Sequence, residues 1–172
     1  MAAPENTHRR LCELVARWAL KQQVYDLCSW EIQWNSGFVD AIGVTSPLKP
    51  NGRITAFEVK RTRSDLLADV TTGKLLKYEE GSTHCYLAGT AEALGINKLT
   101  SEKEALKKLV ELGVPKYWGI LLLPTRGATK PRVLKPAKQF GKLIPSVQLE
   151  LIIHIARSFA YRILNKNSPI QD

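Results

Sequence analysis

At 172 residues the chain is long enough to bury one substantial core and short for two. An apolar fraction of 44% and a charged fraction of 24% exclude wholesale disorder. Lys and Arg total 25 against 16 for Asp and Glu, a formal net charge of +9 with a pI near 9.6, so a polyanion is the natural partner. Neutralising phosphates releases their condensed counterions, and that release drives binding.

In chain order, the first element is a helix from residue 8 to about 24, where Leu11, Leu14, Val15, Trp18 and Gln22 recur at helical spacing. Three runs rich in β-branched and aromatic residues follow, at about 25–34, 38–45 and 53–61. Asn35-Ser36-Gly37 and the stretch from Pro47 to Gly52 punctuate them as turns, which predicts an antiparallel meander. Thr62-Arg63-Ser64-Asp65 carries a capping hydroxyl and an acid, and a second helix continues through Leu66, Leu67, Val70, Leu75 and Leu76. Gly73 weakens its middle.

A short strand from about 84 to 88 comes next, then a helix opening at Thr100-Ser101-Glu102 and ending near Gly113 and Pro115. The run from about 117 to 123 is apolar throughout and reads as a buried strand, too short to span a bilayer. A closing amphipathic helix starts near Ser146 and places Ile152, Ile155, Ala156, Phe159, Ala160 and Ile163 on one face. The expected fold is α/β: an αβββαβ core with a mixed central sheet flanked by helices, followed by a C-terminal helix. One domain is expected over residues 1–172, with its core at about 8–123, a basic arm at about 125–143 and the final helix at about 146–166.

Cys12, Cys28 and Cys85 are odd in number and lie in apolar surroundings, as expected of buried thiols in a reducing compartment. His8, His84 and His154 are isolated along the chain, and no zinc knuckle is visible. With no leader pattern at the N-terminus, a cytoplasmic location away from membranes is expected.

The chemistry concentrates in the third run, Ile54-Thr55-Ala56-Phe57-Glu58-Val59-Lys60. Strand alternation puts Glu58 and Lys60 on one face and Phe57 and Val59 on the other. In the preceding apolar run Asp40 is the lone acid, and antiparallel pairing can bring it beside Glu58. Two such carboxylates offer hard oxygen ligands to Mg²⁺ or Mn²⁺, with the Val59 carbonyl as a further ligand. Lys60 can position a water or stabilise developing negative charge. Glu31 shares a face with Gln33 and could serve a second cation. The bland alternative is a solvated cross-strand charge pair. Trp30 and Trp34 are expected on the opposite face from Glu31, as core residues or as base-stacking platforms.

This element order, with Asp40 and Glu58-Val59-Lys60, resembles the PD-(D/E)XK nuclease superfamily, which has a restriction-endonuclease-like core and includes Holliday-junction resolvases. The stretch Phe57-Glu58-Val59-Lys60-Arg61-Thr62-Arg63-Ser64-Asp65-Leu66-Leu67-Ala68-Asp69, followed by Lys74, Tyr78 and Cys85-Tyr86-Leu87-Ala88, resembles the MmcB-type DNA-repair-related nucleases. The family proline is absent, Val39 preceding Asp40. The resemblance implies a Mg²⁺-dependent deoxyribonuclease acting on DNA, with Asp40, Glu58, Lys60 and Glu31 catalytic. A homodimer or larger homo-oligomer is one expected state, because cutting both strands calls for two active sites. The resemblance extends the candidate site to Glu13 on the first helix and to Lys74, Lys77 and Tyr78 on the second. Glu13 pairing with Arg17 on a solvated helix face is the alternative. Asp65 and Asp69, one turn apart, fit a structural role at the positive end of the helix dipole.

Candidate DNA contacts are Arg61 and Arg63 and the acid-free basic segment holding Arg126, Lys130, Arg132, Lys135 and Lys138. That segment reads either as an arm gripping phosphates or as a solvated loop and hairpin. A nuclease-fold subunit that binds DNA without cutting it is the rival function, and RNA binding is a third.

Overall fold

A computed structural model describes residues 7–22, 25–34, 37–47, 49–97, 99–124 and 130–164. Its elements in chain order are α1 (His8–Lys21), β1 (Leu27–Trp34), β2 (Gly37–Thr45), β3 (Arg53–Lys60), α2 (Arg63–Thr71), a 3-10 helix (Lys74–Glu79), β4 (His84–Thr90), α3 (Ala91–Leu94), α4 (Glu102–Glu111), β5 (Gly119–Leu123), β6 (Arg132–Lys135) and α5 (Pro145–Leu164). The fold is α/β, with a mixed sheet flanked by helices and a C-terminal helix. All six strands form one sheet in the order β1-β2-β3-β4-β5-β6. The β1-β2 and β2-β3 pairs are antiparallel, β3-β4 and β4-β5 parallel, and β5-β6 antiparallel. Among the described residues no helix is long and apolar enough to cross a membrane.

The sheet is buried on both sides because its central strands are apolar on both faces. One core joins Ile42, Ile54, Ala56, Leu87 and Ile120 to Leu66, Leu75, Leu109, Leu151 and Ile155. The other joins Ala41, Phe57, Val59, Ala88 and Leu121 to Leu11, Cys12, Val15, Ala16 and Ala19 of α1. Leu11 and Val15 are fully buried, each worth about 1.5–3 kcal/mol, which anchors α1 across the first three strands. Phe57 packs edge-on against Tyr25 at 5.8 Å and stacks on Tyr86 at 5.4 Å. Those contacts hold the strand that carries Glu58 and Lys60.

Several expectations need correction. The second helix does not run through to Leu76. It stops at Thr71, Gly73 turns left-handed (φ 68°), and the chain resumes as the 3-10 helix. Trp30 and Trp34 do not share a face. Glu31 takes a left-handed backbone (φ 47°), so Cys28 and Trp30 pack with α1 while Ile32 and Trp34 enter the opposite core.

Part of the basic segment is not an arm, since Arg132–Lys135 is an edge strand on β5. The short helix α3, capped by the Thr90 hydroxyl, lies in a stretch with no expected element. On α5, Leu151 and Ile155 face the core whereas Phe159 and Ile163 are exposed. Arg162 holds that helix to the first strand, its guanidinium 3.9 Å from the Trp30 ring centroid and donating to the Trp30 carbonyl.

Candidate active site

The site forms where β2 stops pairing with β3. The last ladder pair is Ala41 with Phe57, so the next would set Asp40 against Glu58. Instead the backbone separates there, and the Val59 N–H donates to Asp40 Oδ2 at 2.7 Å. A side chain thus satisfies a strand N–H that the ladder has abandoned. Residues 58 and 60 share a face at the end of β3, and both are buried, Glu58 at 1% and Lys60 at 6% exposure.

The segment after β3 completes the cluster. The Thr62 hydroxyl caps α2 by accepting from the Asp65 N–H at 3.3 Å, so the helix begins immediately beyond Lys60. One turn further on, Asp69 Oδ2 lies 2.6 Å from Lys60 Nζ, which also donates to Glu58 Oε1 at 2.5 Å. The left-handed turn at Gly73 then brings Lys74 Nζ within 3.4 Å of Asp69 Oδ2 and 4.0 Å of Glu58 Oε1. On the other side of the site, at the first residue of α1, His8 Nε2 lies 3.2 Å from Asp40 Oδ1.

Charge in this cluster is divided unevenly. Burial and the neighbouring Asp40 carboxylate push Glu58 up to about 8. Burial opposes ionisation of Asp40 as well, yet the His8 and Val59 hydrogen bonds hold it below the ordinary carboxylate range. Asp69 is likewise held down, by Lys60 against the cost of its own burial. Lys60 keeps its proton more firmly than usual, because Glu58 and Asp69 outweigh its desolvation. Burial and the Glu58 carboxylate push the Tyr78 hydroxyl upward.

The donor set fits a hard divalent cation. Glu58 Oε2 is buried and makes no hydrogen bond of good geometry among the described residues, although Tyr78, Asp40 and Asp69 crowd the carboxyl group, while Lys60 occupies Oε1. Asp40 stands level with it across the parted strands. In an extended strand the N–H and C=O of one residue point the same way, so the Val59 carbonyl faces the Asp40 side too. Asp40, Glu58 and the Val59 carbonyl would therefore hold the cation, with Lys60 beside it. The cleft above has a volume of about 540 Å³ and is lined by His8, Val59, Lys60, Arg61, Asp69 and Lys74 among others. It opens at the carboxyl ends of the parallel strands, the usual ligand edge of an α/β sheet.

The other expected residues divide. Lys74 and Tyr78 join the cluster, and Arg61 lines the cleft. Glu31 stands across the β1-β2 pair from Asp40, with its carboxylate 3.5 Å from Arg9. Glu13 pairs with Arg17 at 2.5 Å, the helix-surface alternative rather than a site role. Lys77 is exposed on the 3-10 helix and does not line the cleft. Arg63 donates to the Ala93 carbonyl at 3.1 Å, which ties α2 to α3. Arg132 pairs with Glu102 of α4. Lys135 is partly buried, which lowers its pKa, whereas Lys130 and Lys138 are exposed. Arg126 lies outside the described residues, as do the turn residues Asn35 and Ser36.

Two members of the cluster escape a reading of the sequence. His8 looks isolated because its partner is 32 positions away. Asp69 passes for a helix-dipole acid, although its spacing of four from Asp65 already put both on one side of α2.

No family model matches the sequence, and no curated protein matches it. Among solved structures, the SPO1766 protein of unknown function from Silicibacter pomeroyi is similar, with a TM-score of 0.64 over 96% of this chain and 97% of that one. At 20% identity the likeness shows a shared fold.

Proposed function

We propose that this chain is a metal-dependent deoxyribonuclease that hydrolyses phosphodiester bonds at the cleft lined by Lys60, with Asp40 and Glu58 adjoining Val59 and Lys60 of its wall. The observation that carries the reading is the convergence of the three groups, Lys60 donating to Glu58 and Asp40 accepting from the Val59 N–H, beside an open cleft lined by Val59 and Lys60 in a chain of net charge +9. A Mg²⁺ or Mn²⁺ ion bound by Asp40, Glu58 and the Val59 carbonyl would lower the pKa of a bound water and screen phosphate charge.

The chain's own groups would do the rest. Lys60, clamped between Glu58 and Asp69, presents a fixed ammonium where negative charge develops on phosphate. Lys74, half exposed at the rim, can meet a phosphate oxygen as the backbone enters. Arg61 lies on the same rim. The exposed Lys130 precedes the start of β6 at the carboxyl end of β5, three strands from β3 and about 14 Å across the sheet, within reach of the same duplex, whereas Lys138 lies at the opposite end, its N–H donating to the Tyr117 carbonyl.

The test is incubation with branched, single-stranded and duplex DNA in Mg²⁺ or Mn²⁺. Cleavage by the wild type, lost in Asp40→Ala, Glu58→Ala and Lys60→Ala, is expected. Unchanged cleavage in both Asp40→Ala and Glu58→Ala sinks the assignment. Salt-dependent DNA binding without cleavage in any divalent cation would make the chain a binding subunit instead.

A further inference from the structure

We propose that His8, Cys12 and Asp40 form a second cation site, selective for a transition metal of the zinc class rather than for Mg²⁺. His8 and Cys12 are four residues apart on α1 and so project from one side of the helix, toward Asp40 on β2. One donor atom from each lies within 4.8 Å of the other two.

The separations suit a small tetrahedral ion. His8 Nε2 is 3.2 Å from Asp40 Oδ1, and Cys12 Sγ is 3.4 Å from His8 Nε2. Bonds of about 2.0–2.3 Å at tetrahedral angles put neighbouring N and O ligands about 3.3 Å apart and N and S ligands about 3.5 Å apart. The third pair, Cys12 and Asp40, lies within 4.8 Å and needs a shift of about 1 Å at most to reach the S–O separation around one tetrahedral ion.

Hydrogen bonding alone serves the trio poorly. Both short contacts converge on one ring nitrogen, Nε2. In a neutral imidazole that atom either donates to the carboxylate or accepts from the thiol, and it cannot do both. A cation at the centre satisfies all three donors together.

Ligand chemistry selects the ion. A thiolate and an imidazole favour zinc-like cations and are poor ligands for Mg²⁺, which takes oxygen. Burial first, and then the carboxylates of Asp40, Glu31 and Glu58, raise the pKa of the Cys12 thiol, so a metal must displace its proton to bind. Three protein ligands leave a fourth position, and His8 is exposed enough to let water or a substrate oxygen reach it. On binding, the Cys12 S–H bond breaks, sulfur keeps the electron pair for the metal, and the proton passes to solvent. Because Asp40 belongs to both ligand sets, the two cations compete for it.

Cobalt gives a direct readout on the full-length chain under reducing, oxygen-free conditions. Titration with Co²⁺ should produce a thiolate-to-cobalt charge-transfer band in the near ultraviolet with one ion per chain, bleached by Zn²⁺. Cys12→Ser should abolish that band, and His8→Ala, a change at an exposed helix start, should weaken Co²⁺ binding at least about tenfold. No charge-transfer band in the wild type overturns the site, as does a band that persists in Cys12→Ser or Co²⁺ binding unaffected by His8→Ala. The spectrum reports the ligands themselves, so the outcome is independent of whether the chain cuts DNA.

Discussion

Two strands of the sheet, β3 at its centre and β6 at its edge, treat charge in opposite ways. At β3, Lys60 is buried and locked between Glu58 and Asp69, and its charge is aimed. Around β6, Lys130 and Lys138 are exposed and Arg132 meets only an exposed partner, Glu102. Burial makes a charge directional and strongly shifted, whereas exposure leaves it screened and adaptable. The first arrangement suits a reaction that needs groups fixed to fractions of an ångström, and the second suits holding a polyanion in many registers.

Replacing Lys60 by Met sharpens this contrast most. Single-turnover cleavage should fall by about 10²–10³, while DNA affinity in gel shifts stays nearly unchanged. Equal losses in cleavage and binding would show that Lys60 only attracts DNA.

The next effect is in pH. Because Glu58 is held at about 8, a cation must displace its proton below that value. Mn²⁺ affinity measured by calorimetry should rise up to about tenfold per pH unit and level off near 8. Stability of the metal-free chain moves the other way. Between the ordinary carboxylate pKa and about 8 the unfolded chain has lost a proton that the folded chain retains, so rising pH destabilises the fold across that window. The lowered values of Asp40 and Asp69 act at lower pH and do not mask the trend. A flat affinity profile would break the contrast at its buried end.

At the exposed end, Lys130→Gln should weaken DNA binding about threefold at about 0.1 M salt and reduce the salt slope by about 1, while Lys138→Gln, at the opposite end of the sheet, should change neither. Cleavage at saturating DNA should be unaffected. The smallest effect belongs to Gly73, where φ is 68° and an added Cβ meets nothing within 4 Å. Gly73→Ala should cost about 1 kcal/mol, from backbone conformation alone, and lower the melting temperature by about 2–4 °C.

The chemistry of β3 is legible in the sequence because a period of two is rigid: if that stretch is a strand, Glu58 and Lys60 must share a face. The level of Asp40 is legible for a related reason, since one turn between antiparallel strands sets the register, and the ladder that ends at Ala41 and Phe57 leaves position 40 level with 58 one step beyond it. What local patterns do not carry is contact across elements. The Lys60-Asp69 ion pair depends on how α2 leaves the sheet, and the His8-Asp40 contact on where α1 crosses it. The change of face at Glu31 is invisible for another reason. A left-handed backbone at a residue other than Gly, Asn or Asp leaves no compositional mark. The edge strand at β6 hides among prolines and lysines because edge positions tolerate both.

The order of strands in the sheet repeats their order in the chain, so every strand pairs with the one made just before it. During synthesis the sheet can therefore be laid down progressively, with no early strand waiting for a distant partner. The exception is the return of α5 to β1, where Arg162 reaches Trp30 across 132 positions. Until that last helix emerges, the flank of β1 stays uncovered, so the nascent chain, more than the finished fold, is the form most open to strand-to-strand association.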